Sequence, residues 1–318
     1  MPGSVTEGAD PFKACRRPWR KIRDEFRQHR GTMAGMLSDE QFERIRRLAR
    51  LLAGFELFDR HRELLVGRLR RLGMGRAEDI DPLLGAAEEG EPDATHRFVA
   101  LLTTKHTGFF RHPAHFDAAA EHLLWAAHRS GRARAWCAAA ATGEEPYSLA
   151  MALIEVFRRD DPPVTVLATD IDDDALALAR RAEYGERALC DLGPERRARF
   201  LAPAATEGRW EVAARARDLV EFRTLNLVET SWPLDAPFDI PFDAILCRNV
   251  LMYLAAAHRA AVLERIASAL SPDGLLLIDP TEHLGEASHR FAPRAAGVYA
   301  RRGAPSRGAS TRPPMLFV

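Results

Sequence analysis

Residues 134–148 read RAWCAAAATGEEPYS, and residues 164–172 read VTVLATDID. Each is a short apolar run that ends in small or acidic residues, and a helical pattern follows each. After the first run Leu149, Leu153 and Ile154 share one face. The alternation continues downstream. Strands are predicted over 134–137, 164–168, 219–227, 242–247 and 275–278, and helices over 146–157, 175–182 and 258–270. Ser271-Pro272-Asp273-Gly274 reads as a tight turn, and a final strand pair is expected after Phe291, including Val298 and Tyr299. Short strands alternating with helices specify βαβ units and a mostly parallel sheet. Residues 190–218, polar and rich in arginine, break the pattern and read as a small inserted subdomain.

Upstream of this α/β domain the period is purely helical. Ser38 followed by Gln41 is a capping-box pattern, and Phe42, Ile45, Ala49 and Leu52 then recur at helical spacing. A second helix is expected over 62–72, a third over 94–102, and a connecting helix carries Phe116, Ala119, Leu123, Leu124 and Ala127. The resulting division is a flexible extension over 1–36, an all-helical domain over 37–102, a linker and connecting helix over 103–133, the α/β domain over 134–301 and a tail over 302–318. Residues 41–76 hold ten arginines against four acids, and residues 77–93 hold seven acids and no base. The first stretch reads as a basic helical face bearing Arg62, Arg68, Arg70 and Arg71, the second as an acidic connecting segment.

Composition narrows the function. The chain has 318 residues, 47% of them apolar, enough for one large core and a smaller helical partner. Its 45 basic residues balance 45 acidic ones, so no global field favours nucleic acid. Lys13, Lys21 and Lys105 are the only lysines, which is an arginine bias and not a nucleic-acid signature. Cysteines at 15, 137, 190 and 247 are too scattered for a metal knot or a disulfide scaffold, and the eleven histidines form no ligand cluster in sequence. No apolar run approaches a membrane span and no secretory signal core is present, so a cytoplasmic location without membrane insertion is expected.

In an open α/β sheet the ligand sits beyond the carboxyl ends of the strands. The first strand ends in Ala138-Ala139-Ala140-Ala141-Thr142-Gly143, small residues that let backbone approach a ligand. A diphosphate there would meet Glu144 and Glu145 where it needs bare N–H groups. A ligand with an amino group and a sulfonium would welcome a carboxylate. The second strand ends in Asp170, an acid suited to ribose hydroxyls. The pattern therefore favours S-adenosylmethionine over a dinucleotide, with a dehydrogenase or a non-catalytic α/β domain as the alternatives.

Six segments add a more specific likeness: TTKHTGFFR (103–111), AAATGEEPYS (139–148), ATDID (168–172), FRTLNL (222–227), FDAILCRNVLMY (242–253) and LSPDGLLL (270–277). In this order and spacing the chain resembles the CheR family of S-adenosylmethionine-dependent chemoreceptor glutamate methyltransferases, from about 37 to 301. The resemblance implies a Rossmann-like methyltransferase domain with a small all-helical N-terminal domain and a small inserted subdomain. It implies transfer of a methyl group to glutamate carboxylates on the cytoplasmic helical bundle of a chemoreceptor, leaving S-adenosylhomocysteine. By the same resemblance Glu144 would hold the methionine amino group, Asp170 the ribose, and Asn226 and Leu227 the adenine. Arg248 and Asn249 would close the pocket, and Thr107 and Arg111 would cross over the cofactor. Arg111 and Tyr253 would sit nearest the transferred methyl as the catalytic pair, and the basic helical face would meet the receptor.

The chain departs from the family pattern at three places. Lys105 stands where Asn is common, His112 replaces a common acid after Arg111, and Asp279-Pro280-Thr281-Glu282 replaces a common GHSE. Two other functions fit the same scaffold: a methyltransferase acting on a different protein or small-molecule acceptor, and a regulatory module that binds S-adenosylmethionine without turnover.

Overall fold

The capping box forms. Ser38 Oγ accepts from the Gln41 backbone N–H at 3.1 Å, and Gln41 Oε1 accepts from the Ser38 N–H at 3.1 Å. The computed structural model describes residues 37–74, 76–103, 107–232 and 241–302. The extension over 1–36, Lys105 and the tail beyond 302 lie outside the described residues. From Ser38 runs α1 (Asp39–Ala53), followed by α2 (Arg62–Arg71), α3 (Ile80–Glu88) and α4 (Pro92–Leu102). Phe42, Ile45, Leu65, Leu69, Ile80, Leu84 and Phe98 make their shared core. Gly54 ends α1 at φ 69°, and a Cβ there would lie 2.4 Å from Val228 Cγ1, so only glycine lets this helix end rest on the α/β domain.

One expectation fails here. The acidic stretch 77–93 is not a mere connector, because it contains α3. Ile80, Leu83, Leu84 and Ala87 are buried at i, i+3, i+4 and i+7, an amphipathic face that the surrounding acids obscure. The basic face is also partly consumed by folding. Arg62 pairs with Asp39 at 2.8 Å and stacks on the Phe42 ring, and Arg68 donates to the carbonyls of Leu101 and Leu102 at the end of α4.

The connecting helix α5 (Pro113–Ser130) leads into β1 (Ala133–Cys137), α6 (Glu144–Phe157), β2 (Val164–Asp170) and α7 (Asp173–Arg181). The inserted part begins at Glu183, earlier than expected. It comprises β3 (Glu183–Gly185), α8 (Pro194–Phe200), β4 (Leu201–Pro203), β5 (Arg209–Val212) and α9 (Ala214–Arg217). Its strands make a separate antiparallel sheet of order β3-β5-β4. The main sheet resumes with β6 (Val220–Thr224), β7 (Phe242–Leu246), α10 (Ala256–Ala269), β8 (Leu270–Leu277), β9 (Phe291–Ala295) and β10 (Val298–Arg301).

The main sheet has the order β6-β2-β1-β7-β8-β10-β9. The first five strands are parallel, and β10 and β9 return antiparallel. Side chains alternate between two cores, as a pleated strand requires. Trp136, Leu167, Ile245 and Leu276 face the helical domain and α10, whereas Cys137, Ala168, Leu246 and Leu277 face α5 and α6. Within β8 the Ser271–Gly274 turn bulges out, so Phe242 opposes Leu270 while Ala244 opposes Leu275. The chain proceeds from β1 toward β6 on one side and later from β7 toward β8 on the other. The strand order therefore reverses between β1 and β7, which opens a crevice at their carboxyl ends. Among the described residues no helix is long and apolar enough to cross a membrane.

Because Arg68 satisfies two terminal carbonyls of α4, Arg68→Ala is expected to lower unfolding free energy by about 1–3 kcal/mol. Urea denaturation followed by circular dichroism checks this, and an unchanged midpoint would show that the contact carries no stability.

Candidate active site

The site is built on the turn after β1. Ala138 N–H donates to Leu246 O at 2.8 Å and Ala140 N–H to Thr169 O at 2.9 Å, which hang the turn between two neighbouring strands. Ala141 adopts φ 46° and donates its N–H to Asp170 Oδ2 at 2.8 Å. Gly143 sits at φ 97°, and a Cβ there would come within 2.7 Å of the Tyr184 hydroxyl and 2.9 Å of Ala179 Cβ. Glycine is therefore required by both conformation and space. That turn delivers two consecutive acids into the start of α6, and they face different ways.

Glu144, expected to hold the amino group, accepts from the Thr142 hydroxyl at 2.6 Å and does not line the cleft. Glu145 does line it. Its Oε2 accepts from Arg248 Nη1 at 2.9 Å with both side chains buried, and its Oε1 is buried without a hydrogen-bond partner. Burial pushes both carboxyls above their ordinary pKa, and the adjacent Arg248 guanidinium opposes that rise at Glu145. A buried carboxylate oxygen without a partner, on a residue that lines the cleft, marks a place for a cationic or donor ligand.

Asp170 ends β2 beside this turn. It accepts from the N–H groups of Ala141 and Asp172, while burial raises its carboxyl pKa. Past β6, Asn226 and Leu227 reach the cleft wall, but the Asn226 amide has a structural partner that the sequence did not disclose. Its Nδ2 donates to Leu52 O at 2.7 Å, pinning the end of α1 to the α/β domain. Past β7, Arg248 also donates to the Arg111 carbonyl and lies over the Phe116 ring at 5.3 Å. Asn249, at φ 60°, donates Nδ2 to Asp279 Oδ2 at 2.6 Å. Glu282 accepts from the N–H groups of Asn249, Met252 and Asp279, so this buried acid shapes the loop after β7.

The linker supplies the cover. Phe109 packs edge-on against Tyr184 at 4.9 Å and Phe110 against Phe116 at 5.3 Å, and the Phe110 N–H donates to Ser148 Oγ. These anchors present Thr107 and Arg111 at the cleft, where Arg111 keeps 41% side-chain exposure. Tyr253 stands at the rim, 37% exposed, its ring against Phe55. The structure thus brings Thr107, Arg111, Asp170, Asn226, Leu227, Arg248, Asn249 and Tyr253 to one cleft of about 240 Å³, and Glu144 is not among the residues that line it. Ala53, Phe55 and Leu102 join from the helical domain, a contribution without a signature in the motifs, and Thr103 joins from the start of the linker. Cys137 and Cys247 are fully buried with thiol pKa values raised by burial, so neither is a nucleophile. His96, Asp172 and Asp174 do converge, but Asp172 caps α7 at Ala175 N–H and accepts from Thr103, leaving a His96–Asp174 approach of 3.8 Å.

The donor set suits one kind of ligand. A carboxylate with an unpaired oxygen lies at the first turn, a second carboxylate at the next strand end, and Ile171, Leu225 and Leu227 form apolar wall. A phosphate would face both acids, whereas an amine, a ribose and a flat base match them in that order. Fold and cleft together define an S-adenosylmethionine-dependent methyltransferase. Residues 105–299 match the family described as CheR methyltransferase, SAM binding domain. The chain is 36% identical over 271 residues to the Chemotaxis protein methyltransferase of Escherichia coli K12, covering 83% of this chain and 91% of that protein. It is 35% identical over 263 residues to Chemotaxis protein methyltransferase 2 of Pseudomonas aeruginosa, covering 82% and 92%. The chain belongs to the CheR family.

Asp170→Ala is expected to weaken S-adenosylmethionine binding by about tenfold or more, the equivalent of losing a charge-assisted hydrogen bond. Raised carboxyl pKa values at Glu145 and Asp170 mean that protonation begins at higher pH than for ordinary acids. As pH is lowered from neutrality, wild-type affinity should therefore begin to fall before ordinary carboxylates would protonate. Calorimetric titration from neutral pH downward checks both statements, and unchanged affinity in either test would contradict the placement of these acids.

Proposed function

We propose that the protein transfers the methyl group of S-adenosylmethionine to glutamate γ-carboxylates on the cytoplasmic helices of a chemoreceptor, forming glutamate methyl ester and S-adenosylhomocysteine. One observation carries this reading. The cleft has an acidic floor, Glu145 and Asp170, and a half-exposed guanidinium, Arg111, at its mouth. The floor suits a cationic nucleoside, and the mouth suits an incoming carboxylate.

The cofactor supplies an electrophilic methyl group on a sulfonium. The acceptor glutamate is already ionised near neutrality, with an ordinary pKa of ~4.3, so the chain needs no general base. Its task is to strip water from the carboxylate and aim one oxygen. Attack annihilates charge, because carboxylate and sulfonium become a neutral ester and a neutral thioether. A cation gripping the attacking oxygen would hold back its lone pair. Arg111 therefore takes the other oxygen and orients the group, and Tyr253 flanks it at the rim. Glu145 replaces Glu144 as tether of the methionine amine, with Asp170 on the ribose and Asn226 and Leu227 beside the adenine. Arg248 and Asn249 close the far wall, and Thr107 covers the cofactor from the linker.

The receptor would dock on the helical domain beside this mouth, and the reaction would take place in the cytoplasm. Arg70 and Arg71 are exposed next to Leu72, so the end of α2 offers both charge and apolar surface to an acidic helix. Arg62 and Arg68 support that face from within.

Incubation with labelled cofactor and receptor cytoplasmic fragments should place a base-labile label on glutamate, and Arg111→Ala should reduce the transfer rate by about 100-fold, the cost of losing alignment. Label on no carboxylate, or an undiminished rate in the variant, would contradict the reading. Charge reversal at Arg70 and Arg71 should raise KM for the fragment several-fold and leave cofactor affinity alone. A KM indifferent to both reversal and salt would place docking elsewhere.

A further inference from the structure

Two of the positions at which the chain departs from its family pattern meet in space. His112 Nε2 lies 3.4 Å from Asp279 Oδ2, and Arg111 Nη2 lies 3.7 Å from the same oxygen. Asp279 is 2% exposed, whereas Arg111 and His112 keep about two-fifths of their side-chain surface. The acid is thus the buried member of the group, and Arg111 and His112 are the solvent-facing ones. Its own fixation is thorough. Oδ1 accepts from the Thr281 N–H at 3.0 Å and the Thr281 hydroxyl at 2.7 Å, and Oδ2 accepts from Asn249 Nδ2 at 2.6 Å. Burial alone would raise this carboxyl, yet those donors and His112 hold it well below the usual carboxylate range, so it is anionic throughout the working range.

Three segments meet at this carboxylate: the linker, the loop after β7 and the loop after β8. The first two each hold a non-glycine residue in the left-handed region, His112 at φ 59° and Asn249 at φ 60°. Such a conformation is strained for a residue with a Cβ and persists where surrounding contacts determine it. Asp279 contacts both residues.

We propose that Asp279 is a positioning residue for methyl transfer: it holds Arg111 at the mouth of the cleft in the attitude that receives the acceptor carboxylate. This rests on the reading of Arg111 given above. At 3.7 Å the Arg111–Asp279 approach is an ion pair beyond hydrogen-bond length. It steers the guanidinium without consuming its donors, which stay available to a second carboxylate. The same pairing lowers the net positive charge felt by the acceptor, so Arg111 aligns the nucleophile while withdrawing little of its charge. His112 completes the balance, lying against the acid where the family pattern commonly places another acid.

The test uses the full chain and receptor fragments. Asp279→Asn preserves shape and the Oδ1 acceptor for Thr281 but removes the charge, and it also sets an NH2 group against Asn249 Nδ2. It should lower kcat for methyl transfer by about tenfold or more, as expected when a reacting group is misaimed. KM for the fragment should change by less than about threefold on the same argument, and cofactor affinity by calorimetry is read in the His112→Glu variant described next, which leaves the Asn249–Asp279 bond in place. In an Arg111→Ala background the Asp279→Asn change should add less than about threefold, because the acid acts through the arginine. His112→Glu, at an exposed position, sets an anion against Asp279 and beside Arg111. It should reproduce the kcat loss even if Asp279→Asn does not fold. An unchanged kcat in the variants, a loss additive with Arg111→Ala, or a parallel loss of cofactor affinity in His112→Glu would each overturn the proposal. Wild-type turnover on the fragments is the control. Its absence would defeat the functional reading, whereas wild-type turnover with unaffected variants would defeat only the role of Asp279.

Discussion

The cleft depends on one ion pair, Arg248 with Glu145, closed to solvent at both ends. Removing two charges from water is costly, and in this fold the cost is offset by further partners. Arg248 also donates to the Arg111 carbonyl and lies over the Phe116 ring. One guanidinium therefore fastens the turn after β1, the loop after β7 and the linker to each other. Removing a single partner would leave a buried charge uncompensated, at a cost of about 3–5 kcal/mol. The pair can form only where β1 and β7 are neighbours, at the reversal of strand order. Topology thus places the charge, and the charge fixes the site.

From that fixed point the chemistry follows by sign. The second oxygen of Glu145 and the carboxylate of Asp170 make the inner cleft acidic, while Arg111 makes its mouth cationic. A cationic nucleoside and an anionic acceptor are then drawn to opposite ends of one passage. Their reaction cancels both charges, and the adjoining apolar wall favours that cancellation over the separated ions. The helical domain participates directly. Its α1 end is pinned by Asn226, and Phe55 and Leu102 complete the wall.

Much of this was legible in advance. The capping box at Ser38, the alternation from residue 134 onward and the turn ending in Gly143 each encode local structure through spacing and residue type. What stayed hidden was decided by distant contacts. Adjacent residues on a helix point about 100° apart, so TGEEPYS alone does not say which glutamate faces the ligand. Arg248, 103 residues later, pairs with Glu145, the one of the two that lines the cleft. Likewise Asn226 lines the cleft and also pins α1 through Leu52 O, 174 positions away, a partner that the local spacing does not disclose. The helix α3 was masked by a composition of acids, although its apolar spacing was present in the letters. Arg68 resembled part of a docking surface because only the fold shows it capping α4.

The most direct test is a crystal structure with S-adenosylhomocysteine. The account predicts the amino nitrogen within hydrogen-bond distance of Glu145 Oε1, the ribose hydroxyls on Asp170, and an intact Arg248–Glu145 pair. A product whose amine is held by Glu144, or which lies outside the crevice between β1 and β7, would contradict it.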